Sequence, residues 1–322
     1  MNVSRRLIPA TATAAAVSLG LVALSACSGS SSASDKADGK LHVVASFYPM
    51  QFLAQEIGGG NVSVTNLTKP GVEPHDLELS PRQTASLSQA DAIVYLKGLQ
   101  PAVDEAIAQS GVKHTVDAAS LTSLEDHGTE VDGHDHSTSD NHSHSEGEAG
   151  ADPHIWLDPV KYAEVAKGVN KTLAAADPAH KAEYQKNTDA LVKELGALDT
   201  KFETGLKNRT SDTFITTHAA FGYLAERYGL TEEAISGIDP ETEPSAARVK
   251  ELHKLAKTHH VSTVFFETIA SPDTAKTLAG DLGVTTGVLD PLEGISDKSK
   301  GDDYFEVMES NLAALQKALG SQ

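Results

Sequence analysis

Short apolar runs that alternate with helical stretches, in two successive series, restrict this chain more than any other feature. In the first series residues 41–46, 62–67, 92–96 and 112–116 read as strands. Helical stretches at 48–57, 80–89 and 101–109 lie between them. Ser80-Pro81 offers an N-cap followed by a proline suited to the first helical turn. The second series has strands at 213–217, 234–238, 261–266 and 284–289 and helices at 219–228, 245–258, 272–282 and 303–319. Strands that alternate with helices must pair in parallel, because each helix carries the chain back across the sheet. The pattern therefore predicts an α/β fold of two lobes, each a parallel four-stranded sheet with flanking helices.

Between the series, Asp158-Pro159 and Asp177-Pro178 each place a capping carboxylate before a proline. The second of these helices is expected over 178–207. Leu191, Leu195, Leu198, Phe202 and Leu206 share one of its faces. At 1.5 Å per residue it is about 40 Å long, more than one lobe needs, and it reads as a stiff connector. The expected divisions are an N-terminal lobe over 41–177, the linking helix over 178–207 and a C-terminal lobe over 208–322.

Charge narrows the ligand. Asp and Glu number 45 against 26 Lys and Arg, a net charge of −19. Such a surface repels phosphate backbones and excludes nucleic acid, whereas it suits a cation. A single cysteine rules out an intramolecular disulfide and a thiolate zinc cluster. That cysteine ends the first segment. Arg5 and Arg6 precede an apolar stretch over 7–24, and Leu24-Ser25-Ala26-Cys27 follows. The segment resembles a bacterial lipoprotein signal over 1–26. The resemblance implies lipidation at Cys27 and anchoring to the outer face of the cell membrane without a spanning helix. Residues 27–40 are rich in Ser, Gly, Ala and Asp and read as a flexible tether.

Histidine supplies the chemistry. Residues 125–148 hold His127, His134, His136, His142 and His144 among Asp, Glu, Ser and Gly. No apolar period survives there, so the stretch reads as an accessory metal-collecting loop. Three other histidines stand in ordered contexts. His75 follows the second strand, His154 lies in Asp152-Pro153-His154-Ile155-Trp156-Leu157-Asp158-Pro159, and His218 directly follows a strand. Asp290 directly follows the strand over 284–289. Carboxyl ends of parallel strands are where open α/β sheets bind ligands. Two of these residues belong to each lobe, so together they would close a site in the inter-lobe cleft. Three imidazoles and one carboxylate suit tetrahedral Zn²⁺, and imidazole also suits copper, nickel and iron. Protons compete for the same nitrogens, so binding is expected to weaken as pH falls through about 6.

Several stretches then carry a family resemblance: Ser46-Phe47-Tyr48-Pro49, Glu73-Pro74-His75-Asp76, the Asp152–Pro159 segment, His218-Ala219-Ala220-Phe221-Gly222-Tyr223 and Asp290-Pro291-Leu292. In order and spacing the chain resembles the zinc-type cluster A-I substrate-binding proteins of metal ABC transporters. The resemblance implies two lobes joined by one long rigid helix, with His75, His154, His218 and Asp290 as ligands of Zn²⁺. It also implies delivery to an ABC permease by a monomeric, non-catalytic receptor. Manganese-type relatives usually have glutamate at the position of His218 and lack the histidine-rich loop, and both differences favour zinc. Glu267 and Glu73 stand nearby as further candidates. The competing readings are a manganese or iron receptor, a metal-dependent hydrolase using Glu267 or Glu73 as base, and a surface adhesin.

Overall fold

The computed structural model describes residues 39–127 and 151–321. The expected signal, Cys27 and most of the tether lie outside the described residues, as do His134, His136, His142 and His144. Strands β1 (Leu41–Ala45), β2 (Val62–Asn66), β3 (Ala92–Tyr95) and β4 (His114–Asp117) form one parallel sheet in the order β2-β1-β3-β4. Strands β5 (Thr213–Thr216), β6 (Thr231–Ala234), β7 (Thr263–Phe266) and β8 (Thr285–Val288) repeat it as β6-β5-β7-β8. In the first register Val43 lies between Val64 and Ala92.

Both sheets are covered on both faces, and alternate residues show it. Val43 and Ala45 enter one apolar cluster, while Val44 between them enters another. Phe214 and Ile215 of β5 divide in the same way, as do Phe265 and Val264 of β7. Successive side chains point to opposite faces, so a doubly covered strand reads as an unbroken apolar run.

The first sheet carries α1 (Tyr48–Gly58), α2 (Pro81–Gln89) and α3 (Pro101–Ser110). At the start of α2, Gln83 N donates to Ser80 Oγ, and Ser80 N donates to Gln83 Oε1. This reciprocal cap satisfies two of the free N–H groups of the first turn. Helices α4 (Pro159–Ala176) and α5 (Lys181–Gly205) follow, and Asp158 caps α4 by accepting from Val160 N at 2.8 Å. The long helix begins at Lys181 rather than residue 178, because Pro178–His180 forms a separate tight turn. Asp177 holds that turn by accepting from His180 Nδ1 and Tyr184 Oη. Helix α5 buries Leu191, Leu195, Leu198 and Phe202, and packs on α1, α4 and, beyond them, α9 (Tyr304–Leu319) of the second lobe. Before α9 the second lobe carries α6 (Gly222–Tyr228), α7 (Ala246–Thr258) and α8 (Asp273–Leu282).

Strand β6 lies at 231–234 rather than 234–238. It is an edge strand of sequence Thr-Glu-Glu-Ala, held by pairing with β5. The apolar residues that suggested a later strand, Ala234 and Ile235, mark its end and are buried. The largest apolar cluster joins Phe47 and Trp156 to Leu195, Phe202, Phe214 and Tyr304. One core therefore serves both lobes and the helix between them. Among the described residues no helix is long and apolar enough to cross a membrane.

Candidate metal centre

Four donor side chains converge where the strand ends of the two lobes meet. His75 follows β2, His218 follows β5 and Glu293 follows β8; His154 stands just before the turn Ile155–Leu157 that leads into α4. Glu293 Oε1 is 3.2 Å from His75 Nε2, 3.1 Å from His154 Nε2 and 3.4 Å from His218 Nε2. The four donor atoms lie within 4.8 Å of one another. His154 and Glu293 are fully buried, His218 is nearly so, and the His75 side chain is 10% exposed.

Two further carboxylates hold the buried rings. His154 Nδ1 lies 2.7 Å from Asp152 Oδ1, and His218 Nδ1 lies 2.6 Å from Glu267 Oε1. An ionised carboxylate only accepts, so each ring places a proton on Nδ1 and turns Nε2 toward Glu293. Thr217 Oγ1 also donates to Glu267 Oε1. Glu267 thus sits behind His218 and orients it.

The charges follow from this packing. Burial works against a charge on His154, but Asp152 and Glu293 outweigh it and lift the imidazole to about 9. His218 is likewise lifted well above its usual range, with Glu267 and Glu293 overriding burial. Burial opposes the charge of Glu293, yet His154, His218 and His75 hold its carboxyl well below the usual range. Glu73, nearby, is pushed up to about 8 by burial and by Glu293, so it is largely neutral at pH 7. Its Oε1 accepts from His75 N at 3.1 Å and shapes the His75 turn.

The donor set fits a small cation. With bonds of about 2.0–2.1 Å to nitrogen and oxygen, the edge of a tetrahedron is about 3.3 Å. The three nitrogen–oxygen separations of 3.1–3.4 Å match that edge. His218 Nε2 and Glu293 Oε2 are buried and make no hydrogen bond. Such orphaned atoms cost about 1–3 kcal/mol each. A cation among the four donors would engage them.

Asp290 is not in this group. Its Oδ1 accepts from Leu292 N at 2.9 Å and its Oδ2 from Thr268 Oγ1 at 2.8 Å. Leu292 takes a left-handed backbone, φ 59°, and Trp156 Nε1 donates to Pro291 O at 2.6 Å. Asp290 therefore builds the turn, and Glu293, three residues on, is the acidic residue that faces the three imidazoles. The only signal for Glu293 was its place next to Asp290-Pro291-Leu292. Nothing in the spacing shows which of two acidic residues in one turn faces inward. Of the loop histidines, His127 falls among the described residues, between Asp152 and Glu226.

The family described as "Zinc-uptake complex component A periplasmic" (ZnuA) matches residues 43–318. The chain belongs to this family. It is 37% identical over 289 residues to the zinc-binding lipoprotein AdcA of Streptococcus pneumoniae, covering 88% of this chain and 56% of that protein. The chain thus spans little more than half the length of that relative. It is also 37% identical over 305 residues to the high-affinity zinc uptake system protein ZnuA of Bacillus subtilis, covering 92% of this chain and 93% of that protein. The crystal structure of the Zn(II)-bound ZnuA-like domain of S. pneumoniae AdcA superposes with a TM-score of 0.71 at 34% identity, covering 87% of this chain and 99% of that one.

Proposed function

We propose that this protein is an extracytoplasmic receptor that captures Zn²⁺ and passes it to an ABC permease, and that Cys27 anchors it to the outer face of the membrane. The convergence of three imidazole nitrogens on Glu293 Oε1, from both lobes, carries this reading. Zinc is the cargo, bound by His75, His154, His218 and Glu293. The zinc-binding relatives support the choice of ion. So does the third imidazole at residue 218, since a harder carboxylate there would suit manganese better. A closed set of four protein donors leaves no open position for water, whereas catalytic zinc keeps one, so no reaction is assigned. An adhesive role would call for a contiguous exposed apolar patch; the large apolar side chains exposed among the described residues are Val72 and Val160.

The test is metal analysis of the protein purified without added metal, then competition titration with zinc. One tight equivalent is expected, sharply weakened by His75→Ala, His154→Ala or His218→Ala. Wild-type zinc affinity in all three variants would overturn the reading.

A further inference from the structure

Strand β6 carries two adjacent glutamates that face opposite ways. Glu233 turns toward α7, where Arg248 Nη2 lies 2.9 Å from its Oε2. Glu232 turns to the other face, toward the segment that presents His218. Its partners there are a hydroxyl and a peptide N–H rather than a cation. Glu232 Oε1 lies 2.7 Å from Thr216 Oγ1, and Glu232 Oε2 accepts from Phe221 N at 3.0 Å. The two contacts bracket His218 from both sides in the chain.

The Thr216 hydroxyl also lies 2.9 Å from His218 O. It therefore stands within hydrogen-bond distance of two oxygens. A hydroxyl has one proton to give, and a carbonyl or an ionised carboxylate can only accept. An ionised Glu232 would leave one of these contacts as two oxygens held together with no proton between them. A proton on Glu232 Oε1 completes the set: Glu232 donates to Thr216 Oγ1, Thr216 donates to His218 O, and Phe221 N donates to Glu232 Oε2. Burial, opposed by Thr216 and Phe221, pushes the Glu232 carboxyl up to about 7, in keeping with that proton. The backbone of the turn adds its own bonds. Ala220 N donates to His218 O and Ala219 N to Gly237 O, both at 3.0 Å. Glu267 holds the His218 ring through Nδ1, whereas the bonds from Glu232 hold the backbone that carries the ring.

We infer that Glu232 is a positioning residue for the metal centre: as a neutral carboxylic acid it locks the 216–221 turn through Thr216 and Phe221, and so fixes where His218 Nε2 points. The inference rests on the reading of His218 as a zinc ligand. A neutral acid does this without setting a further negative charge behind a centre that already holds Asp152, Glu267 and Glu293.

Competition titration with zinc and infrared spectroscopy of the full chain test this. Glu232→Gln keeps both bonds, its amide N–H replacing the acid O–H, and should hold zinc affinity within about threefold. Glu232→Ala and Thr216→Val should each weaken zinc by about tenfold, the lower end for a group that orients a ligand. The two together should cost no more than Glu232→Ala alone, because they break one chain of bonds. At about pH 6 an ordinary glutamate is ionised, so the difference spectrum between metal-free wild type and Glu232→Gln should show the carbonyl stretch of a protonated carboxyl. If Glu232→Ala does not fold, Thr216→Val, which keeps the shape of the side chain, carries the same test. Absence of the carboxyl band, wild-type affinity in Glu232→Ala or Thr216→Val, losses that add, or a Glu232→Gln variant as weak as Glu232→Ala would overturn the role of Glu232. Wild-type zinc affinity in His218→Ala would instead overturn the reading of the centre.

Discussion

Glu293 and Asp290 stand three residues apart in one turn, yet their oxygens serve different ends. Glu293 faces three imidazoles, whereas Asp290 is spent on Thr268 and Leu292 N. Glu293→Gln is expected to weaken zinc by about 100-fold or more, beyond the range for loss of an outer-shell partner. Asp290→Asn is expected to keep affinity within about threefold and to cost about 1 kcal/mol of stability. Competition titration and denaturant melts of the two variants separate these roles, and the reverse ranking would restore Asp290 as the ligand. Acidity is set at the same scale. A free imidazole titrates at about 6.5, but in the metal-free protein burial of His154 is outweighed by Asp152 and Glu293, which raise it to about 9. Its protonation therefore supports the metal-free fold fully below about pH 6.5, and that support is lost as pH rises through about 9. Zinc needs the same nitrogen without its proton, so affinity moves the other way and climbs across that window. The window is higher than free imidazoles suggest. Melting midpoints of the metal-free protein should fall between pH 6.5 and 9 while zinc competition constants rise; two flat profiles would contradict the charge arrangement.

At the scale of elements, the Asp158 side chain joins two of them. It caps α4 through Val160 N and pairs with Arg227 of α6 in the other lobe, close behind the segment that carries His154. Asp158→Ala is expected to cost about 1–2 kcal/mol from the cap, and to lower the melting midpoint by about 2–3 °C. Asp158→Asn keeps an acceptor for the cap and should recover most of that loss. A thermal scan in which both variants melt like the wild type would remove Asp158 from this role. The cap was readable in Asp158-Pro159 because capping needs only a carboxylate one residue before a helix-compatible proline. Strand β6 lies ahead of the apolar run at 234–238 for the converse reason. An edge strand held by β5 needs little apolar side chain of its own, so Glu232 and Glu233 carry no strand signal.

For the whole molecule, the shared core decides how ligand and fold are coupled. Phe47, Trp156, Phe202 and Tyr304 belong to one apolar cluster that both lobes enter. Tyr304 Oη donates to Trp156 O, while Trp156 Nε1 donates to Pro291 O, so the walls of the site are bonded to each other. The described chain is expected to melt in one transition, with zinc raising its midpoint. Free zinc at about 1,000 times the dissociation constant adds about 4 kcal/mol, which for a chain of this size is about 6–7 °C. Calorimetry with and without zinc checks this. Two separated transitions, only one of them moved by zinc, would show that the lobes do not share a core.

The sequence by itself determined the two parallel sheets and the long helix, because each rests on local information; it also singled out the three histidines that the structure brings together. Apolar runs at strand length, caps before prolines and a helical face of leucines are all written in neighbouring residues. The resemblance carried by the Asp152–Pro159 and His218–Tyr223 segments extended that reading to zinc. Tertiary structure decided which carboxylate faces the three imidazoles. A turn with Leu292 in the left-handed region, pinned by Asp290 and Trp156, points Glu293 inward. It also decided that Asp152 serves two imidazoles at once, one from the inner centre and one from the start of the histidine-rich stretch. Neither could be read along the chain, because a side chain's direction depends on the backbone of its turn, and the Glu293 turn is pinned by Trp156, 135 residues from Pro291 in the chain.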